Sequence, residues 1–204
     1  MTIVIIIITV GISILAFNRP DVMAKLQFNP YQTINQKQWY RLISHGFVHA
    51  GWLHLIINMF VFLSFGTAIE NTFTELHNKN WMDYPMLNFA LLYFGGIVIS
   101  SLLTLKKHKD NYYYNSVGAS GAVSAVVFTG IFFDPWRKIY FYGIIGLPGI
   151  VLGLLYLAYS YYMGKKGGGY INHDAHILGA VYGLLFPIFI DVELIQIFFS
   201  QLIG

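Results

Sequence analysis

Two short motifs carry side chains that could together perform acyl transfer. The first, Gly118-Ala119-Ser120-Gly121, places a serine among small residues at the start of an apolar segment. At a helix N-terminus, unpaired backbone N–H groups and the positive end of the helix dipole can stabilise a developing oxyanion. A serine at this position could therefore act as a nucleophile. The same small residues equally suit close helix packing, which requires no chemistry.

The second motif contains a histidine beside a glycine groove. His176, Gly179 and Gly183 are spaced at i, i+3 and i+7, so they share one face of a predicted helix. The Gly179/Gly183 pair permits close approach of a neighbouring helix. The imidazole of His176 could then reach Oγ of Ser120 and serve as its general base. The alternative interpretation of His176 is a hydrogen-bonded packing residue.

A third group lies at the start of the second apolar segment. His54 and Asn58 are at i and i+4 and share a helical face. Both side chains offer hydrogen-bond donors, as an oxyanion hole requires. The alternative is that they form polar contacts between packed helices.

A metal or haem site is a further interpretation of the histidines. His45 and His49 are at i and i+4, and His173 and His176 could complete a ligand set. No Glu accompanies them in an H-E-x-x-H pattern, which weakens this reading. Since His45 and His49 precede the second segment, we expect them to order the first connection instead.

These side chains need a membrane scaffold to bring them together. Only 10% of the 204 residues are charged and 56% are hydrophobic, whereas a soluble domain has about 25% charged residues. Backbone polar groups in lipid must be satisfied within each span, so the long apolar runs predict helices. We predict an all-α membrane protein, a single domain over residues 1–204. Its six spans lie at about 2–17, 52–69, 84–105, 117–133, 139–163 and 171–190.

The direction of the spans predicts a shared depth for the candidate residues. Spans two, four and six cross the membrane in the same direction, and His54, Ser120 and His176 lie near their starts. All three therefore fall roughly 5–10 Å into one leaflet, at a rise of about 1.5 Å per residue. Asp174, two residues from His176, points to another side of its helix. The pattern predicts a Ser–His dyad without an orienting acid.

Composition also excludes other classes of protein. The chain has no cysteine, which rules out disulfides, thiolate catalysis and Cys-ligated metals. Lys and Arg lie in connections between apolar runs and form no basic face, so we predict no nucleic-acid partner. The first apolar run lacks a basic leader and a cleavage site, and we expect it to be a retained span.

In their order along the chain, these motifs resemble the rhomboid family of intramembrane serine proteases. The resemblance covers about residues 39–190 by motif. It is carried by Gly118–Gly121, Ala175–Gly183, His54 with Asn58, His49, Arg41, and Gly66 with Glu70. It implies a six-transmembrane-helix rhomboid-type bundle with Ser120 as nucleophile and His176 as general base. The implied oxyanion hole consists of the Ser120 backbone N–H, His54 and Asn58, with supporting roles for Gly118, Gly121, Ser124, Gly179, Gly183, His49 and Arg41.

The resemblance also implies partners and location. Substrates are single-span or polytopic membrane proteins that enter laterally from the lipid bilayer, and no cofactor or metal is needed. The fifth span and a capping loop containing Gly167–Gly169 are implied to move. The implied location is a bacterial cell membrane, with the site opening to the non-cytoplasmic side. Nine of the twelve Lys and Arg lie on the site's side, and positive charge favours the cytoplasm, so the charge count predicts the opposite orientation.

One position departs from the family pattern. Some members carry an aromatic residue four positions after the nucleophile, where it stacks on the catalytic histidine. That position is Ser124 here, and we expect a hydrogen bond from Ser124 to hold His176. The departure and the missing acid motivate an alternative function, a catalytically inactive rhomboid-like protein that binds membrane clients.

Overall fold

The computed structural model describes residues 1–141, 145–166 and 172–203. Within these residues the chain forms ten α-helices, one 3-10 turn at His45–Phe47 and one two-stranded hairpin. The helices are α1 (Thr2–Asn18), α2 (Pro20–Leu26), α3 (Pro30–Asn35), α4 (Arg41–Ser44), α5 (Trp52–Asn78), α6 (Pro85–His108), α7 (Ser120–Phe133), α8 (Gly149–Lys166), α9 (His173–Ile190) and α10 (Leu194–Ile203). Strands β1 (Lys138–Phe141) and β2 (Ile145–Pro148) pair antiparallel, with Lys138 opposite Pro148.

The architecture is a helical membrane bundle, as predicted. Helices α5, α6 and α9 are each long and apolar enough to cross a membrane, and α1 and α7 are shorter apolar helices. Large apolar side chains such as Ile7, Leu53 and Phe189 face outward, which suits lipid as the surrounding solvent. The division into six spans stays a prediction for α1, α7 and α8.

Helix α7 forms the centre of the bundle. Ten of its fourteen residues are buried, as expected for a helix that is apolar on every side. It packs most extensively against α9, and then against α6 and α5. Small residues permit this closeness: a Cβ at Gly96 on α6 would lie 3.0 Å from Cα of Ala122. The predicted nucleophile is therefore the first residue of the most enclosed helix.

Several helix ends in the structure differ from the predicted span boundaries. Helix α5 continues to Asn78, nine residues past the predicted end, because no proline or glycine interrupts the chain after Gly66. The fourth helix begins at Ser120 rather than 117, because Gly118 has a φ of +114°, outside helical geometry. The predicted fifth span was wrong at its start.

The hairpin explains the late start of α8. Ile139, Tyr140 and Phe141 have the β-branched and aromatic side chains that favour strands, and β1 and β2 occupy most of residues 138–148. Pro148 ends β2, and α8 begins at the next residue. Apolar content alone does not separate such a hairpin from a spanning helix. Helix α10, beyond the last predicted span, was also missed. The predicted flexible connection Gly167–Gly169 lies outside the described residues.

The long first connection, which joins α1 to α5, is structured, as expected. The buried guanidinium of Arg41 donates to the carbonyls of Ala24 and Gln27, at 2.9 and 2.6 Å. Phe28 pairs with Ser116 through two backbone hydrogen bonds of 2.9 and 3.0 Å. The first connection is thereby fastened to the segment that leads into Ser120. In the C-terminal half of α5, Glu70 accepts a hydrogen bond from the Thr2 backbone N–H at 3.0 Å.

Candidate active site

Ser120 is held at the entry to α7 by the first connection. The N–H of Gly118 donates to the carbonyl of His45 at 2.9 Å, and the N–H of Ala119 donates to Nε2 of His49 at 3.5 Å. Ser120 itself is half-buried and is the first helical residue. Its N–H belongs to the helix turn that lacks intrahelical partners. This N–H and the helix dipole are available to an anion beside the serine.

His49 links α1 to the loop that precedes Ser120. Its Nδ1 lies 3.0 Å from Oγ of Ser13, whose hydroxyl donates to the carbonyl of Phe47, also at 3.0 Å. Since Nε2 accepts from Ala119, the proton of the neutral ring belongs on Nδ1 and is donated to Ser13. Burial lowers the pKa of His49 to about 3, which keeps the ring neutral and preserves this chain of hydrogen bonds.

His45 similarly links the loop before Ser120 to α6. Its Nε2 lies 3.0 Å from Oγ of Ser101 on α6, and that hydroxyl donates to the carbonyl of Ile97 at 2.9 Å. Burial lowers the pKa of His45 to about 4. Both histidines of the first connection thus order that connection and the loop before Ser120, the role expected of them.

His54 lies against Gly118, two residues before Ser120. A Cβ on Gly118 would lie 2.6 Å from Cε1 and 2.9 Å from Nε2 of His54. Nδ1 of His54 accepts from the N–H of Ala50 at 3.5 Å, so the proton of the neutral ring belongs on Nε2. A donor group therefore faces the loop two residues before Ser120. The close approach also accounts for the glycine at position 118.

Asn58 follows one turn later on the same face of α5. It is buried, and its Nδ2 donates to the carbonyl of His54 at 2.8 Å. One hydrogen of the amide is used in this way, and the second remains for another acceptor. His54 and Asn58 thus carry two donor groups on one face of α5, and His54 lies against the loop before Ser120.

The glycine groove on α9 lies directly against α7. A Cβ at Gly179 would overlap the carbonyl of Gly121, and one at Gly183 would overlap the carbonyl of Ala125. Thr129 adds a hydrogen bond of 2.8 Å to the carbonyl of Gly183. His176 is one turn before Gly179 on this face, so it lies at the level of the N-terminal turn of α7, which begins with Ser120.

An aromatic side chain from α8 lies beside the ring of His176. Tyr156 stacks on it with ring centroids 5.8 Å apart and an interplanar angle of 22°. Ser124 does not fill the role predicted for it, because its hydroxyl shares a 2.8 Å hydrogen bond with the hydroxyl of Tyr156. Asp174 pairs with Lys107 at 3.2 Å, so it does not orient the imidazole.

Polar residues tie the start of α9 to α6. Asn172 caps α9 by accepting from the N–H of Ala175 at 3.1 Å. Its amide also exchanges hydrogen bonds with Oγ1 of Thr104, at 2.9 and 3.1 Å. These contacts fix the first turn of the helix that carries His176.

Sequence reasoning missed Ser13, Tyr156 and Asn172. Ser13 could have been found as a polar residue within the first apolar run, in helical register with Thr2 and Thr9, both of which are also buried. Tyr156 had no such signal, because it is one of several tyrosines along its segment. As for metal ligands, no cluster of three or more His, Cys, Asp or Glu side chains able to hold an ion occurs in the described part of the chain.

Comparison with known proteins decides the family. A model of the rhomboid domain matches residues 36–191. The chain belongs to the rhomboid family. The rhomboid protease GlpG of Haemophilus influenzae is 29% identical over 181 residues, covering 85% of this chain and 80% of that protein. The chloroplastic rhomboid-like protein 11 of Arabidopsis thaliana is 32% identical over 162 residues, 74% of this chain and 52% of the relative.

A third relative is more distant. The mitochondrial rhomboid-like protein 12 of Arabidopsis thaliana is 27% identical over 155 residues, 68% of this rhomboid and 43% of that protein. The chain therefore spans about half the length of the two plant relatives. The resemblance inferred from the motifs is confirmed at the level of the family. Membership in the family agrees with the helical membrane bundle of the structure.

Proposed function

We propose that this rhomboid is an intramembrane serine endopeptidase that cleaves transmembrane segments of membrane-protein substrates. The observation that carries the proposal is the contact of the α9 glycine groove with α7, where Gly179 lies against the carbonyl of Gly121. This contact brings the His176 face of α9 to the end of α7 that begins with Ser120. General-base activation of a serine requires such proximity.

The proposed reaction uses residues of α5, α7 and α9. The Ser120 hydroxyl attacks the scissile carbonyl while the His176 imidazole takes its proton. The oxyanion receives hydrogen bonds from the Ser120 backbone N–H, from His54 and from the free hydrogen of the Asn58 amide. His176 then protonates the leaving amine, and water, activated by the same imidazole, hydrolyses the acyl-enzyme.

Substrate chemistry follows from the membrane setting. A peptide bond within a helix is sterically hidden, and its carbonyl is already hydrogen-bonded. We therefore propose single-span or polytopic membrane proteins whose cleaved segment has small or helix-breaking residues near the cut. The bilayer is the medium through which they reach the site.

The decisive experiment is cleavage of a single-span substrate by the purified full chain in liposomes. Ser120→Ala and His176→Ala are each expected to abolish cleavage, and retention of full activity by either variant refutes the dyad. Ser64→Ala is a matched control, because Ser64 is an exposed serine on α5 that donates only to the carbonyl of Phe60. It should cleave at the unmodified rate.

An inactive client-binding rhomboid is the second candidate. It is favoured by the lack of an acid at His176, since Asp174 is paired with Lys107. In the part of the chain that the structure describes, no hydrogen bond joins the Ser120 hydroxyl to the His176 ring, although catalytic hydrogen bonds are often long before substrate binds. A serine-reactive fluorophosphonate probe separates the candidates. Labelling that is lost in Ser120→Ala excludes the inactive protein.

For location we propose a bacterial cell membrane with the site on the non-cytoplasmic side. The resemblance to the family implies this orientation, and the bacterial protease of Haemophilus influenzae is matched over 80% of its length, whereas the Lys and Arg count opposes it. The absence of native cysteines makes a direct test clean. A single cysteine at exposed Lys109, on the site's side, should react with an impermeant thiol reagent in intact cells, and one at exposed Lys79 should not.

A further inference from the structure

Tyr156 connects α8 to both helices of the proposed dyad. Its ring stacks on His176 of α9, and its hydroxyl shares a hydrogen bond with Ser124 of α7 at 2.8 Å. Ser124 is one turn after Ser120 on α7. A single side chain from a third helix therefore touches the base and is fixed to the helix of the nucleophile.

We propose that Tyr156 is a positioning residue that holds the His176 imidazole toward Ser120 in place of an orienting acid. This inference rests on the proposed function. The near-parallel ring restricts rotation of the imidazole, and the Ser124 hydrogen bond restricts the tyrosine in turn. When the imidazole takes the serine proton it becomes a cation, and an aromatic face attracts a cation. The same contact therefore also favours the charged form of the base.

The position of Tyr156 depends on how α8 is seated. Among the described residues of α8, only Gly149, Gly153 and Ser160 are buried. A Cβ at Gly153 would lie 3.0 Å from Cδ1 of Ile131 and 3.3 Å from Cε1 of Phe128. Gly149 also lies against Ile131, so two glycines hold the start of α8 close to α7, and Tyr156 follows Gly153 by three residues. Movement of α8 away from α7 would remove the ring from His176.

The test compares variants at position 156 in the full chain, in liposomes, with kcat and KM measured separately. Tyr156→Phe keeps the ring and loses the hydroxyl, while Tyr156→Leu loses the ring. We expect kcat to fall about ten-fold or more in Tyr156→Leu, because a small displacement of a catalytic group costs up to about 100-fold. Its KM should stay within about two-fold, since the loss is in the chemical step. The phenylalanine should retain most of kcat.

Four further variants serve as controls for this test. Tyr162→Leu removes an exposed tyrosine from the same helix and should leave kcat unchanged. Ser124→Ala and Tyr156→Phe remove the same hydrogen bond, so their effects on kcat should not add in the double variant. Tyr156→Met replaces the leucine variant if that variant fails to fold, because methionine fills the space without a ring.

The outcomes separate this inference from the proposed function. If the unmodified chain neither cleaves substrate nor reacts with the fluorophosphonate probe, the proposed function fails and this inference falls with it. If the unmodified chain cleaves and Tyr156→Leu or Tyr156→Met matches its kcat, only the positioning role is overturned. A phenylalanine variant as slow as the leucine variant also overturns it, because the ring would then not be the deciding group.

Discussion

Gly179→Ala should separate the two halves of the proposed dyad. The added Cβ would lie 2.9 Å from the carbonyl carbon of Gly121 and 3.1 Å from its Cα. Carbon atoms in contact prefer about 3.5–4.0 Å, and the carbonyl oxygen of Gly121 lies closer still to the added Cβ, so α9 must move away from α7 by about 1 Å. No flexible side chain can absorb this shift, because the obstructing atoms are backbone. His176, one turn away on α9, would move by a similar distance from Ser120.

A displacement of about 1 Å in a catalytic group costs up to about 100-fold in rate. We therefore expect kcat/KM for a single-span substrate to fall between about ten-fold and 100-fold. Overpacking should also destabilise the protein by about 1–3 kcal/mol, visible as a lower melting temperature in detergent. The assay is liposome cleavage, with thermal unfolding measured on the same preparations.

Gly11→Ala is the matched control for this prediction. A Cβ at Gly11 on α1 would meet no atom within 4 Å, so the same chemical change adds no contact there. Its kcat/KM should equal that of the unmodified chain, and its stability should hold or rise slightly. If Gly179→Ala cleaves within about two-fold of Gly11→Ala while both are folded, the close α7–α9 contact does not set the dyad geometry.

Three further outcomes are expected. Gly118→Ala should lower kcat by about 100-fold or more, the usual cost of losing an oxyanion donor. The added Cβ would lie 2.6 Å from Cε1 of His54, and the φ of +114° at this position disfavours alanine. Cleavage kinetics measure the effect. Ser13→Ala leaves the buried Nδ1–H of His49 without its acceptor and should lower the free energy of unfolding by about 1–3 kcal/mol, measured by denaturation in detergent. Acidification from pH 7 to pH 5 should lower the melting temperature. Burial holds the pKa of His45 and His49 at about 4 and about 3 in the folded protein. In the unfolded chain a histidine has a pKa near about 6.5, so the unfolded state binds more protons between pH 7 and pH 5. Acidification over this range therefore lowers the free energy of unfolding.

For each of these three predictions, one result would contradict the reasoning. Unchanged kcat in a folded Gly118→Ala variant would mean that His54 does not act beside the nucleophile loop. A Ser13→Ala variant as stable as Ser64→Ala, which removes an exposed hydroxyl, would mean that the link to His49 carries no stability. A melting temperature that is constant between pH 7 and pH 5 would contradict the burial of two neutral histidines.

The candidate site residues could be selected from the sequence because each belongs to a local pattern, and their catalytic roles stay a prediction. Gly179 and Gly183 are spaced to face a neighbour, and His54 and Asn58 share a helical face, so their faces followed from helical periodicity alone. The membrane bundle followed from composition. These inferences need only the chain within a few turns of the residue concerned.

Features that depend on contacts distant in sequence could not be predicted in this way. Ser124 was expected to bond to His176, but the structure pairs it with Tyr156, thirty-two residues later. The hairpin of β1 and β2 interrupts an apolar run that reads equally well as helix. Ser13 contributes to the nucleophile loop only through His49, thirty-six residues away. In each case the partner is chosen by tertiary packing rather than by local periodicity.

The Ser124–Tyr156 pair predicts how relatives of this chain can change during evolution. The aromatic ring beside His176 comes from α8, and the residue on α7 that faces it is small. A large ring at position 124 would compete with Tyr156 for the same space beside the imidazole. Substitutions at the two positions should therefore be coupled: homologues with an aromatic residue at position 124 should have a residue smaller than tyrosine at position 156. The stacking contact can thus be inherited while the helix that supplies it changes.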